Sequence, residues 1–119
     1  MRDFHELKVW NKAHRLALSV YQVTRHFPKQ EDFGLTLQIR RAAVSVPSNI
    51  AEGCGRSGER ELARFLSIAA GSVSEIEYQL QLACDLAYID DNNYRDLSEQ
   101  VNEVKRMLNV FLQKLTANS

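Results

Sequence analysis

Apolar residues recur at alternating steps of three and four along most of the chain, and that spacing leaves little choice of fold. Val9, Ala13, Leu16, Val20, Val23 and Phe27 form a first series, and Leu35, Ile39, Ala42, Val46 and Ile50 a second. Leu62, Leu66, Ala69, Val73, Ile76, Leu80, Ala83 and Ala87 form a third, and Tyr94, Leu97, Val101, Val104, Leu108, Phe111 and Leu115 a fourth. Each series is one face of an α-helix, because residues three and four apart stack on the same side. No stretch alternates with the period of two that a strand needs.

The breakers fall between the series. Pro28 ends the first, Gly53, Gly55 and Gly58 follow the second, and Asp90-Asp91-Asn92-Asn93 precede the fourth. Ser57 followed by Glu59 and Glu61 suits a hydroxyl N-cap with acids near the positive helix end, and Asp90 or Asp91 suits the last helix. The expectation is an all-α, antiparallel up-down-up-down four-helix bundle in a single domain over residues 1–119, with helices at about 5–26, 33–54, 58–88 and 92–116. Pro47, inside the second segment, is expected to kink its helix, since its ring removes one backbone bond.

A monomeric bundle needs one apolar stripe per helix, and these helices carry more. Leu37, Val44 and Ala51 lie on another face of the second helix. Trp10, Ala17 and Tyr21 do so on the first, and Phe65, Ile68, Leu82 and Leu86 on the third. Helices apolar on two sides are buried on two sides, so self-association is expected.

Charge narrows the functional classes. The 119 residues hold 15 Lys+Arg and 15 Asp+Glu, a formal net charge of zero, which excludes a chain that coats nucleic acid indiscriminately. The charge is unevenly divided: residues 1–64 hold 11 Lys+Arg against 7 Asp+Glu, and residues 65–119 hold 4 against 8. A bundle built from these halves presents positive potential on one part and negative on another, suited to steering RNA or DNA or to attracting a neighbouring subunit. No apolar run is long enough for a membrane span, the first residues lack the apolar core of a secretory signal, and a cytoplasmic location is the default. Cys54 and Cys84, with no CxxC spacing, are expected as reduced thiols.

Polar information is densest where the second helix ends and the third begins. Arg41, Ser45, Ser48 and Glu52 share one helical face, and Arg56, Arg60 and Arg64 line up at steps of four. Two readings stand side by side: a polar network in which these arginines meet Glu52, Glu59, Glu61 or Glu75, or an anion or nucleic-acid contact surface. Lys8, Lys12 and Arg15, on the polar side of the first helix, and Arg40 extend the second reading. Catalytic patterns are missing: there is no Glu-x-x-His pair, GxxxxGK[ST], GxGxxG or HExxH. His5, His14 and His26 all fall on the first segment without metal-site spacing, and Cys54 lacks a His or Asp partner. No enzyme, no cofactor and no metal are expected.

The run Phe4, Leu7, Val9, Trp10, Phe27-Pro28, Phe33-Gly34-Leu35, Arg40-Arg41-Ala42-Ala43, Asn49-Ile50-Ala51-Glu52-Gly53, Gly55-Arg56, Arg64-Phe65-Leu66, Ile68-Ala69, Gly71-Ser72, Glu75 and Glu77 resembles the 23S rRNA intervening-sequence proteins over almost the whole chain. The resemblance implies up-down-up-down bundles that assemble as homopentamers, some of them encoded within insertions in bacterial 23S rRNA genes. A related branch, the accessory variability proteins of diversity-generating retroelements, implies binding of nucleic acid and of a reverse transcriptase. It marks Trp10, Arg41, Asn49, Glu52, Gly53, Phe65 and Glu75 as structural or interface residues. The expected function is a non-enzymatic homo-oligomeric module that contacts RNA through Lys8, Lys12, Arg15, Arg40, Arg41, Arg56, Arg60 and Arg64. The alternative is a scaffold for a protein partner such as a reverse transcriptase.

Overall fold

A computed structural model describes residues 2–117; Met1, Asn118 and Ser119, the ends of the expected domain, lie outside the described residues. Four helices account for most of the chain: α1 (Lys8–Thr24), α2 (Leu35–Cys54), α3 (Glu59–Asp85) and α4 (Asp91–Ala117). Each packs against two neighbours, α1 on α2, α2 on α3, α3 on α4 and α4 on α1, and the α2–α3 contact is the most extensive. The body measures 45 × 23 × 20 Å, its long axis matching the roughly 40 Å that 27 helical residues span.

The four apolar series build one core. Leu16, Ile39, Ile50, Leu66, Ile76, Leu80 and Leu108 are its largest fully buried side chains, with Val20, Val46, Val73, Val101 and Val104 between them. Val23, Tyr94 and Phe111 pack half-buried at its edges.

Helix ends differ from the expected ones for identifiable reasons. Residues 5–7 do not join α1. Phe4–Glu6 form a separate 3-10 turn, the Asp3 carboxylate accepts the His5 N–H at 3.0 Å, and Leu7 is extended. The first helix stops at Thr24 and a second 3-10 turn, Lys29–Glu31, intervenes before α2. Glu31 then works in two directions: its carboxylate accepts the Leu35 N–H at 3.0 Å, capping α2, and the Tyr88 hydroxyl at 2.9 Å. That second bond holds the Tyr88 phenol above its ordinary pKa.

The third helix ends at Asp85 rather than 88. Tyr88 donates its N–H to the Ala83 carbonyl at 2.8 Å and Ala87 to the Cys84 carbonyl at 2.9 Å, with Ala87 at φ 64°. This is a Schellman closure, which places a left-handed residue just past the helix. Ala87 is therefore exposed and does not extend the apolar face. At the start of α3, Ser57 does not cap; the N-cap position is Gly58, at φ 85° and with no side-chain bond to offer. Asp90 does cap α4, accepting the Asn93 N–H at 2.7 Å. α2 runs unbroken from Leu35 to Cys54 through the buried Pro47.

Candidate nucleic-acid interface

The α2–α3 turn gathers charge because the N-terminal segment docks on it. Arg2 donates its N–H to the Cys54 carbonyl at 3.0 Å, its guanidinium lies 3.7 Å from Glu59 at the start of α3, and it stands over the Phe111 ring near the end of α4. Arg2, Arg56, Arg60 and Arg64 thus share one end of the bundle, and Lys8 is the first residue of α1. The turn itself is compact. Gly55 donates to the Ala51 and Glu52 carbonyls, and Gly58 takes the positive φ that other residues disfavour.

Two arginines flank one aromatic ring. Arg56 and Arg64 lie over Phe65 at 5.2 and 4.4 Å from the ring centre, and Phe65 is buried. Arg64 grips Glu61 with two N–H groups, at 2.9 and 3.4 Å, which holds the Glu61 carboxyl below its ordinary pKa and raises that of Arg64. Arg56 reaches Glu52 at 3.3 Å. Of the expected network, Arg56 meets Glu52 and Arg64 meets Glu61, whereas Glu59 pairs with Arg2, outside that network, and Glu75 accepts from the Gln79 amide at 3.4 Å and makes no ion pair among the described residues. All of these pairs are solvent-exposed, so each holds its arginine weakly and leaves it able to exchange a carboxylate for a phosphate. Among the described residues Arg60 and Arg41 make no ion pair.

The remaining candidate cations lie elsewhere. Lys12 pairs with Glu103 of α4 at 3.1 Å, and Arg15 lines the polar cleft between α1 and α4 with Ser19, Gln22 and Gln100. Arg40 is occupied internally: its Nε donates to the buried Thr24 hydroxyl at 2.8 Å, and its guanidinium lies over Tyr21 at 4.7 Å. Arg41 stands on the outer face of α2. The eight cations therefore form no single surface; the bundle end and the α1–α4 cleft are separate groups.

The motif residues on α2 and α3 act on packing. Gly53 is buried where a Cβ would lie 3.0 Å from both Leu62 Cδ1 and Phe65 Cβ, so its lack of a side chain sets the close approach of α2 to α3. Asn49 donates its amide to the Ser45 carbonyl and hydroxyl at 2.8 and 2.9 Å, and the Ser45 and Ser72 hydroxyls meet at 2.9 Å, bridging the same two helices. Burial pushes both thiols, Cys54 and Cys84, above their ordinary pKa, which disfavours the thiolate a nucleophile needs. Both cysteines are free. Among the described residues no three His, Cys, Asp or Glu side chains gather as a metal site, and no helix is long and apolar enough to cross a membrane.

Sequence reasoning missed Arg2 as the organiser of this end, and it missed an aromatic ladder beside it. The Phe4 ring stacks on His5 at 4.0 Å and approaches Trp10 at 4.8 Å, and Trp10 stacks flat on His14 at 5.1 Å and 6°. The i, i+4 spacing of Trp10 and His14 is the one local signal for it.

The described residues form an all-α bundle of four helices with a glycine-tightened, arginine-bearing turn between α2 and α3. The chain belongs to the 23S rRNA-intervening sequence protein family, which it matches over residues 5–110. It is similar in fold to a crystal structure of a protein with unknown function from the S23 ribosomal protein family of Bacteroides thetaiotaomicron. That likeness has a TM-score of 0.81 at 24% identity and covers 88% of this chain and 95% of the other. No curated protein matches the chain.

Proposed function

We propose that this protein is a non-enzymatic, self-associating four-helix bundle that binds RNA through the arginine-rich end around the α2–α3 turn. The observation that carries the reading is the convergence of Arg2, Arg56, Arg60 and Arg64 from the N-terminal segment, the turn and α3, with Arg60 making no ion pair among the described residues. Exposed guanidiniums suit phosphate oxygens because their planar fork bonds two at once. Membership of a family defined by 23S rRNA intervening sequences supports RNA over DNA as the ligand.

Two structural features belong to the same proposal. Contacts whose residue numbers run in opposite senses, Lys12 with Glu103 and Ser19 with Gln100, support an antiparallel up-down-up-down arrangement. Apolar side chains left uncovered on α1, α2 and α3 support a homo-oligomer, with five subunits as the family resemblance implies. The protein acts in the cytoplasm, where rRNA is found.

Retention of a labelled 23S rRNA fragment, measured at two salt concentrations, tests the RNA reading. Retention that weakens as salt rises supports it, and absence of retention overturns it. Pull-down with and without nuclease tests the alternative: a protein partner that survives nuclease, with no RNA recovered, identifies a protein-binding scaffold instead.

A further inference from the structure

Lys12 and Arg15 stand apart from the arginine-rich turn, and the cleft they line has a different chemistry. Of the four helix contacts that close the bundle, α1 with α4 is the least extensive, and the seam between them is open. Lys12, Arg15, Ser19 and Gln22 line it from α1 at steps of three and four, and Gln100 and Glu103 line it from α4, around a cleft of about 390 Å³. A second hollow of about 220 Å³ continues it. Ser19 and Gln22 belong to both, and His26, Asn93 and Asp96 are among the residues of the far end. The Ser19 hydroxyl and the Gln100 amide meet at 3.2 and 3.3 Å, and the same amide donates to Asp96 at 3.3 Å. Lys12 holds Glu103 at 3.1 Å, whereas Arg15 is exposed and makes no ion pair among the described residues.

We infer that this cleft binds a short peptide with free termini, about three residues long, its terminal carboxylate on Arg15 and its terminal ammonium at Asp96. Lys12, Arg15 and Glu103 leave a single net positive charge at one end, which matches a singly charged carboxylate rather than a doubly charged phosphate. The planar fork of an arginine takes both oxygens of a carboxylate at once. Asp96 gives the far end the opposite sign. Between the two ends Ser19, Gln22 and Gln100 offer hydroxyl and amide groups that donate and accept, as a peptide unit does. Length agrees with charge. Arg15 and Gln22, which reaches the far hollow beside Asp96, are seven residues apart on α1, about 10 Å of helix, and three extended residues span about the same. A single amino acid is too short to touch both ends. An RNA strand laid along the cleft would bring its phosphates against Glu103 and Asp96, so the cleft is a site separate from the arginine-rich end.

Titration of the whole chain with trialanine, followed through its backbone amide resonances, tests this. Free trialanine is expected to shift resonances around Arg15, Gln22, Asp96 and Gln100 saturably. Blocking one end, as the C-terminal amide or as the N-acetyl peptide, is expected to weaken binding to the wild-type protein about tenfold, and alanine alone binds less tightly than trialanine. Arg15→Gln is expected to bind trialanine about tenfold more weakly and to lose the distinction between the free and the amidated C-terminus. Asp96→Asn loses the distinction between the free and the acetylated N-terminus. Both side chains are exposed, so circular dichroism should be unchanged, and the blocked peptides test the site on wild-type protein alone. Shifts absent from the cleft, or equal affinity for free and blocked peptides, overturn the assignment. An Arg15→Gln variant that binds trialanine as the wild type does, or that loses retention of an rRNA fragment while the peptide shifts nothing, overturns it as well, the second result giving the cleft to nucleic acid.

Discussion

Gly53 is where the packing of α2 against α3 is most sharply exposed to a single methyl group. In Gly53→Ala the added Cβ lies 3.0 Å from Leu62 Cδ1 and 3.0 Å from Phe65 Cβ, with the Leu62 carbonyl oxygen at 3.4 Å. Leu62 can swing its terminal methyl aside. Phe65 Cβ cannot move without its backbone, and Phe65 is itself buried. Overpacking of this kind costs about 1–3 kcal/mol, whereas replacing glycine by alanine inside a helix returns about 0.8–1 kcal/mol. The net expectation is a loss of about 1 kcal/mol, which for a chain of this length lowers the melting temperature by about 3–5 °C. Thermal and urea unfolding followed by circular dichroism, at one fixed protein concentration so that assembly does not shift the baseline, measures it. A variant that gains about 1 kcal/mol, as an unhindered helical site would, refutes the close approach of α2 to α3 at this glycine.

Gly71→Ala is the counterpart: nothing lies within 4 Å of its Cβ, so at concentrations that keep the chain monomeric it gains about 0.8–1 kcal/mol, and urea unfolding that finds no gain contradicts its open setting. Ala87→Gly relieves a left-handed residue at φ 64° and stabilises by about 0.5–1 kcal/mol, the strain of about 1–2 kcal/mol being partly offset by glycine's greater freedom when unfolded; unchanged denaturant midpoints would argue against the closure described at the end of α3. Tyr88→Phe removes the bond to Glu31 and lowers the melting temperature. Because that bond raises the Tyr88 pKa, its contribution is fully present below the ordinary phenol value near 10 and is lost as pH rises through the higher folded value, so wild-type and variant stabilities should converge in strong alkali. The Glu61 carboxyl, held low by Arg64, contributes in the opposite sense: its small share is present above the ordinary carboxylate range and fades as pH falls through the lowered value, a fade that Glu61→Gln should lack in acid titration.

The core was legible because burial follows a period the chain repeats: Leu16, Ile39, Ile76 and Leu108 were placed by spacing alone, and each is fully buried. Helix ends were less legible because distant residues decide them. Glu31 caps α2 while holding Tyr88, fifty-seven positions away, and a Schellman closure seats an alanine where glycine would be looked for. The arginine-rich turn was visible as a pattern, yet which cations stand free was not. Charge pairs form across the fold, as Lys12 does with Glu103, and Arg40 spends its donors on Thr24, which no spacing rule connects to it. Arg2 escaped notice because its partners come from α2, α3 and α4 at once.

The salt dependence of RNA affinity bears most directly on the functional account. Wild-type protein and the variant carrying Arg56→Gln, Arg60→Gln and Arg64→Gln are compared on one 23S rRNA fragment across a salt series, with circular dichroism confirming that both are folded. If this end of the bundle holds phosphates, removal of three contacts reduces the log–log slope by about 2–3 and weakens binding at every salt concentration. Equal slopes and equal affinities for the two proteins would contradict it.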